Sequence, residues 1–269
     1  MTDRSARVIT LASGKGGVGK TNIAVNLSLA LSRMGRRSML VDCDLGLANA
    51  ALMMGLSVSD TIEDVVSGHL TIDEIVVDGP DALFVVSGAA GGPVHSLDLD
   101  LRRRLADAFR PHRRSLDYVI VDTPSGASPE TLDMVAASDM ILLAVSPEPT
   151  AFMDAYATAK LLTHDHGATE IAVVASMVDD EAAGRDLFRR FRDVAARFLP
   201  TTFDFMGSVP RDDLVRLAVM GKRCCIESFP HAPASVALGR LARTIDERGI
   251  VAVEGGDCFF GMEALVGAL

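Results

Sequence analysis

The chain has 269 residues, a formal net charge of −10 and 49% hydrophobic residues. This length allows one large α/β domain to bury a core, and the acidic balance argues against a general electrostatic attraction to nucleic acid or anionic lipid. The four cysteines show neither the spacing of a zinc site nor a disulfide framework. Because the first residues lack the apolar stretch of a secretory signal and no apolar run approaches the roughly 20 residues of a transmembrane helix, we expect a cytoplasmic protein.

A glycine-rich stretch separates the first predicted strand from the first predicted helix. Residues 8–12 are an apolar run, residues 13–22 read SGKGGVGKTN, and a helical pattern covers residues 22–34. The stretch satisfies GxxxxGK[ST], in which backbone N–H groups bind phosphate oxygens at the amino end of a helix. Lys20 is expected to reach the β- and γ-phosphates and Thr21 to ligate Mg²⁺, roles that a chance glycine-rich turn would leave unexplained. We expect nucleotide binding by Gly14, Lys15, Gly16, Gly17, Val18, Gly19, Lys20, Thr21 and Asn22.

Two further predicted strands end in carboxylates. Residues 38–42 lead into DCDLGLAN, and residues 117–122 read DYVIVD. The carboxyl ends of parallel strands line the crevice in which doubly wound sheets bind ligands, so the carboxylates of Asp42 and Asp44 are expected to point into it, which places Asp44 beside the phosphates. Turn or cap residues are the alternative interpretation of these two carboxylates. Asp122, at the end of a Walker B type of strand, is expected to accept hydrogen bonds from Mg²⁺-bound water, which completes a predicted Mg-ATP site.

The remaining pattern alternates strands and helices. Capping-type residues followed by acidic residues predict short helices over residues 60–68 and 71–75. Further predicted strands cover residues 82–87, 140–145, 171–176 and 203–209, and further helical stretches cover residues 97–109, 212–220 and 232–248. This alternation predicts an α/β fold with a doubly wound, mostly parallel sheet and helices on both faces. We expect residues 1–248 to form one domain and residues 249–269 to form a tail.

Arginine runs occur at residues 102–104 and 110–114 and again at residues 185–192. They could contact a nucleic-acid backbone, but no aromatic stacking platform is interleaved with the first runs and the domain is acidic. Solvated helix faces are therefore the favoured interpretation, and DNA is not an expected partner.

The stretch GKGGVGKT, residues 14–21, resembles the deviant Walker A loop of the MinD/ParA family of ATPases. In that family the additional lysine, here Lys15, reaches the phosphates of the partner in a nucleotide-sandwich dimer. The family motif DxDxGxxN, matched from Asp42 to Asn49, places Asp44 as the residue that polarises the attacking water. The resemblance thus implies an ATP-dependent homodimer that binds ATP or ADP with Mg²⁺. It implies catalytic roles for Lys15, Lys20 and Asp44, and a metal shell of Thr21, Asp42, Asp44 and Asp122, ordered further by Asn49.

Later stretches resemble the FlhG branch of that family, also called FleN or YlxH. They are DLGLAN at 44–49, VSGHL with DEI at 66–75, SPEPT with DAY at 146–156, and AGRDLF at 183–188. Members of the branch set the number and placement of flagella, with the GTPase FlhF as a partner. The resemblance therefore implies an FlhF-type GTPase and flagellar regulators as partners of this chain. Alternatives are a ParA-type DNA partition ATPase, an ATP-binding scaffold with little hydrolysis, and an iron-protein type of reductase. The reductase would need cluster-ligating cysteines in mid-chain, where there are none.

Two stretches concern the base of the nucleotide. Ser176 stands where members of the branch carry an asparagine that hydrogen-bonds adenine, and a hydroxyl lacks the paired donor and acceptor of an amide. The other purine-contacting stretch of the family is matched by Pro210, Arg211 and Asp212. We therefore expect all four residues at the base, with altered recognition at Ser176.

The last twelve residues have an apolar face at helical spacing. It comprises Phe259, Phe260, Met262, Leu265, Val266 and Leu269. MinD and several relatives end in an amphipathic helix that enters the lipid interface, so the resemblance implies peripheral contact with the cell membrane. The chain carries no Lys or Arg after Arg248, and packing of the tail on its own domain or on a dimer partner is the alternative.

Overall fold

The computed structural model describes residues 6–44, 49–88, 104–105 and 107–249. Within them a single sheet has eight strands in the order β3-β4-β2-β5-β1-β6-β7-β8. The strands are β1 (Arg7–Ala12), β2 (Ser38–Asp42), β3 (Val77–Asp78), β4 (Phe84–Val86), β5 (Tyr118–Asp122), β6 (Met140–Val145), β7 (Glu170–Val178) and β8 (Thr202–Pro210). The pairings are parallel except for that of β3 with β4, which confirms the predicted doubly wound, mostly parallel sheet.

Helices connect the strands and cover the sheet. They are α1 (Lys20–Arg33), α2 (Asn49–Met53), α3 (Ile62–Val66), α4 (Ile72–Ile75), α5 (Pro129–Ala136), α6 (Pro149–His166), α7 (Glu181–Ala195), α8 (Asp213–Met220), α9 (Cys225–Ser228) and α10 (Pro233–Glu247). Short 3₁₀ turns occur at Pro80–Ala82 and Arg110–Arg114. The predicted capping is confirmed in α3, where the Asp64 carboxylate accepts the N–H of Thr61 at 2.8 Å. Among the described residues, no helix combines the length and the apolar character needed to span a membrane.

The sheet is buried on both faces, which explains why its strands read as continuous apolar runs. In β1, Ile9 and Leu11 pack with α1 and α10, whereas Val8 packs with α3 and α4 on the other face. Because successive side chains of a strand point to opposite faces, every position of β1 has to be compatible with a core. The glycine-rich loop therefore follows a strand in the middle of the sheet and lies at the edge that is formed by the carboxyl ends of the parallel strands.

The end of α10 is tied to the starts of β2 and β5. Arg36 binds the Asp246 carboxylate through Nε at 2.8 Å and Nη2 at 2.9 Å, and the Tyr118 hydroxyl donates to the same carboxylate at 2.9 Å. Burial and the hydrogen bond to Asp246 raise the pKa of Tyr118 above its usual range. These contacts fix the carboxyl end of α10 at the edge of the sheet opposite to the glycine-rich loop. Most of the helix predicted over residues 97–109, and the tail from residue 250, lie outside the described residues.

Candidate active site

The glycine-rich loop joins β1 to α1 with a backbone that requires glycine. Gly17 has φ 82° and Gly19 has φ 88°, and both values lie in the left-handed region that other residues adopt only with strain. Gly19 is the N-cap of α1, and its carbonyl accepts the N–H of Ile23 at 2.9 Å. The helix therefore begins inside the motif, with its first N–H groups at the loop, as phosphate binding requires.

Gly14 packs the beginning of this loop against α6. A Cβ atom at Gly14 would lie 2.2 Å from the backbone carbonyl carbon of Asp154, a separation that real Cβ atoms do not show. On the other side of the loop, the N–H of Gly126 donates to the carbonyl of Ser13 at 2.9 Å. The loop is thus held between α6 and the segment that follows β5.

Lys20 and Asp122 lie in direct contact. The Lys20 Nζ is 2.6 Å from Asp122 Oδ1, and it also donates to the carbonyl oxygen of Thr123. The exposed fraction is 7% for Lys20 and 1% for Asp122. The loop lysine and the carboxylate at the end of β5 are therefore brought together in a buried, charge-compensated pair.

Asp42 stands beside Asp122 because their strands, β2 and β5, are paired in register at these residues. Asp42 accepts the N–H of Asp44 through Oδ1 and the N–H of Ala50 through Oδ2, each at 3.0 Å. Burial, together with the negative charge of Asp122, raises the pKa of the Asp42 carboxyl to about 7. Asp42 therefore caps the turn and the start of α2, which was the alternative interpretation of this carboxylate. It does so directly beside Asp122. Asp44, two residues after Asp42, is half-buried, and Asn49 is the first residue of α2.

The side chains at this edge suit a magnesium ion that is shared with phosphates. Carboxylate and hydroxyl oxygens are the ligands Mg²⁺ prefers, and the predicted shell of Thr21, Asp42, Asp44 and Asp122 offers nothing else. Within the described ranges, no group of three or more His, Cys, Asp or Glu side chains is arranged to hold a metal by itself. That is the expected situation for Mg²⁺, which is usually bound by one or two carboxylates together with substrate phosphates and water.

Lys15 lies on the surface of the loop, beside the start of α6. Its Nζ contacts Glu148 Oε2 at 3.3 Å and Thr150 Oγ1 at 3.0 Å, and its side chain is 42% exposed. Exposed ion pairs of this kind contribute little to stability and exchange readily with other partners. Unlike Lys20, this lysine faces outward from the single chain.

A cavity of about 550 Å³ adjoins the loop on the side of β7 and β8. Its lining includes residues that the sequence predicted, namely Gly19, Asn22, Ser176, Pro210, Arg211 and Asp212. It also includes Val215 and Val219 of α8 and Leu238 of α10, which were not among the predicted site residues. The spacing of four residues between the two valines is a signal that α8 turns one apolar face to this cavity. The size and the position beside the phosphate loop suit a purine base.

Two of the polar side chains at this cavity, Ser176 and Asp212, are bonded to the protein backbone. Ser176 Oγ donates to the carbonyl of Val18 at 2.7 Å. The Asp212 carboxylate accepts the N–H of Leu214 at 2.9 Å and the N–H of Ala234 at 3.1 Å, which caps α8 and the start of α10. The predicted base-contacting residues therefore lie together, while two of them also have structural hydrogen bonds.

Two other surface features are separate from the phosphate loop. A cavity of about 590 Å³ runs between α7, β8 and α10, and Pro210 is the one predicted site residue in its lining. On α7, arginines pair with carboxylates, as in the contact of Arg185 with Glu181 at 2.6 Å and that of Arg190 with Asp186 at 3.0 Å. Since these charges are compensated locally, the arginine-bearing face of α7 has the character of a solvated helix face.

Known proteins resemble the chain over most of its length. A family model described as an AAA domain matches residues 6–164. The antiactivator FleN of Pseudomonas aeruginosa is 39% identical over 262 residues, which cover 97% of this chain and 93% of that protein. The flagellum site-determining protein YlxH of Helicobacter pylori is 28% identical, over 88% of this chain and 81% of its own. The structure of MinD from Pyrococcus horikoshii complexed with Mg-ADP has a TM-score of 0.73 at 23% identity, over 90% and 97% of the two chains, which is a likeness of fold.

Proposed function

The chain belongs to the MinD/ParA-type ATPases, in the branch of FleN and YlxH, and on that basis we propose that it is an ATP-driven dimerisation switch that regulates the number or placement of flagella. It is an ATPase of this family, with its phosphate loop at residues 13–22. In such a switch the conformation, rather than the hydrolysis product, carries the function, and hydrolysis resets it.

The observation that carries the proposal is the contact between Lys20 and Asp122 at the mouth of the loop, with the base cavity beside it. Lys20 would bind the β- and γ-phosphates, and Asp44 would orient the attacking water. Thr21, Asp42, Asp44 and Asp122 would hold Mg²⁺, which neutralises phosphate charge when it is bound. Two buried carboxylates and one lysine suit a nucleotide that arrives with its own divalent cation.

Dimerisation is supported by the surface around Lys15. Its amino group is exposed, lies on the phosphate loop and is held by a surface ion pair with Glu148 and a hydrogen bond to Thr150, contacts that can exchange for phosphate of a second copy. Met153, in α6 next to the residue that packs on Gly14, is 59% exposed and adds apolar surface on the same side. We propose that these residues face the partner in an ATP-bound homodimer.

Membrane contact and protein partners are proposed from the sequence and the relatives. The apolar face of residues 258–269 would enter the lipid interface when a dimer presents two copies, because two linked weak contacts gain avidity. Partners would be flagellar regulators and an FlhF-type GTPase, as the resemblance to the FlhG branch implies.

The test of the switch measures the mass of the chain and its ATP hydrolysis with Mg-ATP. The parent should dimerise and hydrolyse ATP, Asp44→Ala should persist as an ATP-bound dimer, and Lys15→Ala should bind ATP but stay monomeric. Lys160→Ala, which removes an exposed lysine of α6 instead of the loop lysine, is the matched control and should behave as the parent does. Hydrolysis by Asp44→Ala at the parent rate would show that the catalytic assignment is wrong.

The membrane part is tested by co-sedimentation with anionic vesicles. The full chain with ATP should pellet with vesicles, and a truncation that ends at Gly249 should stay in the supernatant. If the full chain and the truncation pellet equally, the tail does not mediate membrane contact and is a packing element instead. Binding of DNA instead, with an affinity that falls steeply with salt, would favour a partition ATPase.

A further inference from the structure

Ser176 connects the end of β7 to the phosphate loop. Its hydroxyl donates to the carbonyl oxygen of Val18 at 2.7 Å, and the side chain is 2% exposed. This is the separation of a well-formed O–H···O hydrogen bond. Since a serine hydroxyl has only one proton, that proton is committed to the loop.

This bond fixes the direction of the next N–H group. In a planar trans peptide the carbonyl oxygen and the amide hydrogen point to opposite sides, so the Val18 carbonyl and the Gly19 N–H are oriented together. Gly19 is the N-cap of α1, where exposed backbone N–H groups bind phosphate. By holding the Val18 carbonyl on the β7 side, Ser176 directs the Gly19 N–H to the opposite side, away from β7.

The backbone of β7 is shaped to make this contact. Pairing with β8 shifts register between Ser176 and Val178, and Met177 has φ 56°, in the left-handed region. A Cβ atom at Gly19 would lie 3.2 Å from Ser176 Oγ and 3.8 Å from Met177 Cε, so the irregular strand end packs directly on the loop. Bulges and strained non-glycine residues are retained where they orient functional groups.

We infer that Ser176 is a positioning residue of the phosphate loop, which acts on binding of the triphosphate and leaves the base to the rest of the cavity. The inference rests on the proposed function only in requiring that the chain binds nucleotide. It gives the residue that replaces the asparagine of related proteins a role in orienting the loop.

The test compares Ser176→Ala with the parent chain, using three probes with Mg²⁺: ATP, inorganic tripolyphosphate and adenosine. Loss of one buried hydrogen bond should weaken binding of ATP and of tripolyphosphate by the same factor, about two- to tenfold. Binding of adenosine, which has the base but no phosphate, should not change. The ratio of ATP to GTP affinity should not change either.

Ser208→Ala is the matched control. Ser208 lies opposite Ala175 on the neighbouring strand, and its buried hydroxyl oxygen has no hydrogen-bond partner among the described residues. Its removal should leave the affinities for all three probes at the parent values.

Two results would overturn the inference. Weaker adenosine binding with unchanged tripolyphosphate binding would make Ser176 a reader of the base. Equal weakening of adenosine and tripolyphosphate would make it a general support of the site. If the parent bound none of the probes, the proposed function itself would fall first, and this inference with it.

Discussion

The two ends of the candidate nucleotide site are built in different ways. At the phosphate end, charged side chains that are nearly inaccessible to solvent contact one another, as in the pair of Lys20 and Asp122. At the base end, Ser176 and Asp212 bond to backbone groups, and apolar residues such as Val215 supply much of the remaining lining. The first end therefore offers mainly charge to a ligand, whereas the second offers mainly an apolar shape and loops that are held by backbone hydrogen bonds.

This difference predicts unequal responses to mutation. Removing a charge at the phosphate end leaves a buried opposite charge without compensation, which is among the costliest single changes in a protein. Removing a polar group at the base end loosens a loop or a helix terminus instead, at a cost near that of one hydrogen bond. Lys20→Ala and Asp212→Ala test this ranking, and Gly14→Ala tests how the loop between them is packed.

Lys20→Ala should have the largest effect. It leaves Asp122 buried without its counter-charge and the triphosphate without its lysine, so ATP affinity should fall by at least about 100-fold. Equilibrium titration with a fluorescent ATP analogue measures this, with Lys160→Ala as the exposed control. An unchanged ATP affinity would remove the basis for the phosphate-loop assignment.

Gly14→Ala should have an intermediate effect, which is on the stability of the fold. The new methyl group would collide with the Asp154 backbone, so α6 or the loop has to shift, and the free energy of unfolding should fall by about 1–3 kcal/mol. Denaturant unfolding measures this change. Gly239→Ala is the same substitution in α10 with no atom within 4 Å, and it should be neutral or slightly stabilising. Equal unfolding midpoints for the two variants would contradict the packing of the loop on α6.

Asp212→Ala should have the smallest effect on ATP affinity. The loss of its caps on α8 and α10 should lower the free energy of unfolding by about 1–2 kcal/mol, while ATP affinity stays within about threefold. Asp213→Ala, at the exposed neighbouring position, should change stability by less than about 0.5 kcal/mol. A loss of ATP affinity as large as that of Lys20→Ala would show that the base end also relies on charge.

The arrangement of side chains at the phosphate end could be predicted from the sequence because its signals are local, while their roles toward a ligand stay predictions. A glycine that must adopt a positive φ, a lysine next to it and carboxylates at strand ends leave short patterns, and the fold brought Lys20, Asp42 and Asp122 together as expected. The beginning of α1 was placed two residues late because the N-cap is a glycine inside the motif. Helix periodicity alone does not reveal such a start.

The base end could be predicted only in part, because its contacts join distant segments. Ser176 and Val18 are 158 positions apart, and no local pattern indicates that one bonds the other. Leu238 reaches the cavity from α10, which sequence order does not connect with the phosphate loop. The two-residue strand β3 was also missed, since a periodicity of two cannot be recognised in two residues.

The central position of β1 has a consequence for biosynthesis. This strand pairs with β5 and β6, and about a hundred residues separate it from β5. At roughly 5–20 residues per second, the ribosome needs about 5–20 seconds to deliver the first of these partners. During that interval this apolar strand has neither of its pairing partners, although β2, β3 and β4 can already pair with one another. Among the strands of the described sheet, β1 therefore waits longest for its first pairing partner while the chain is being made.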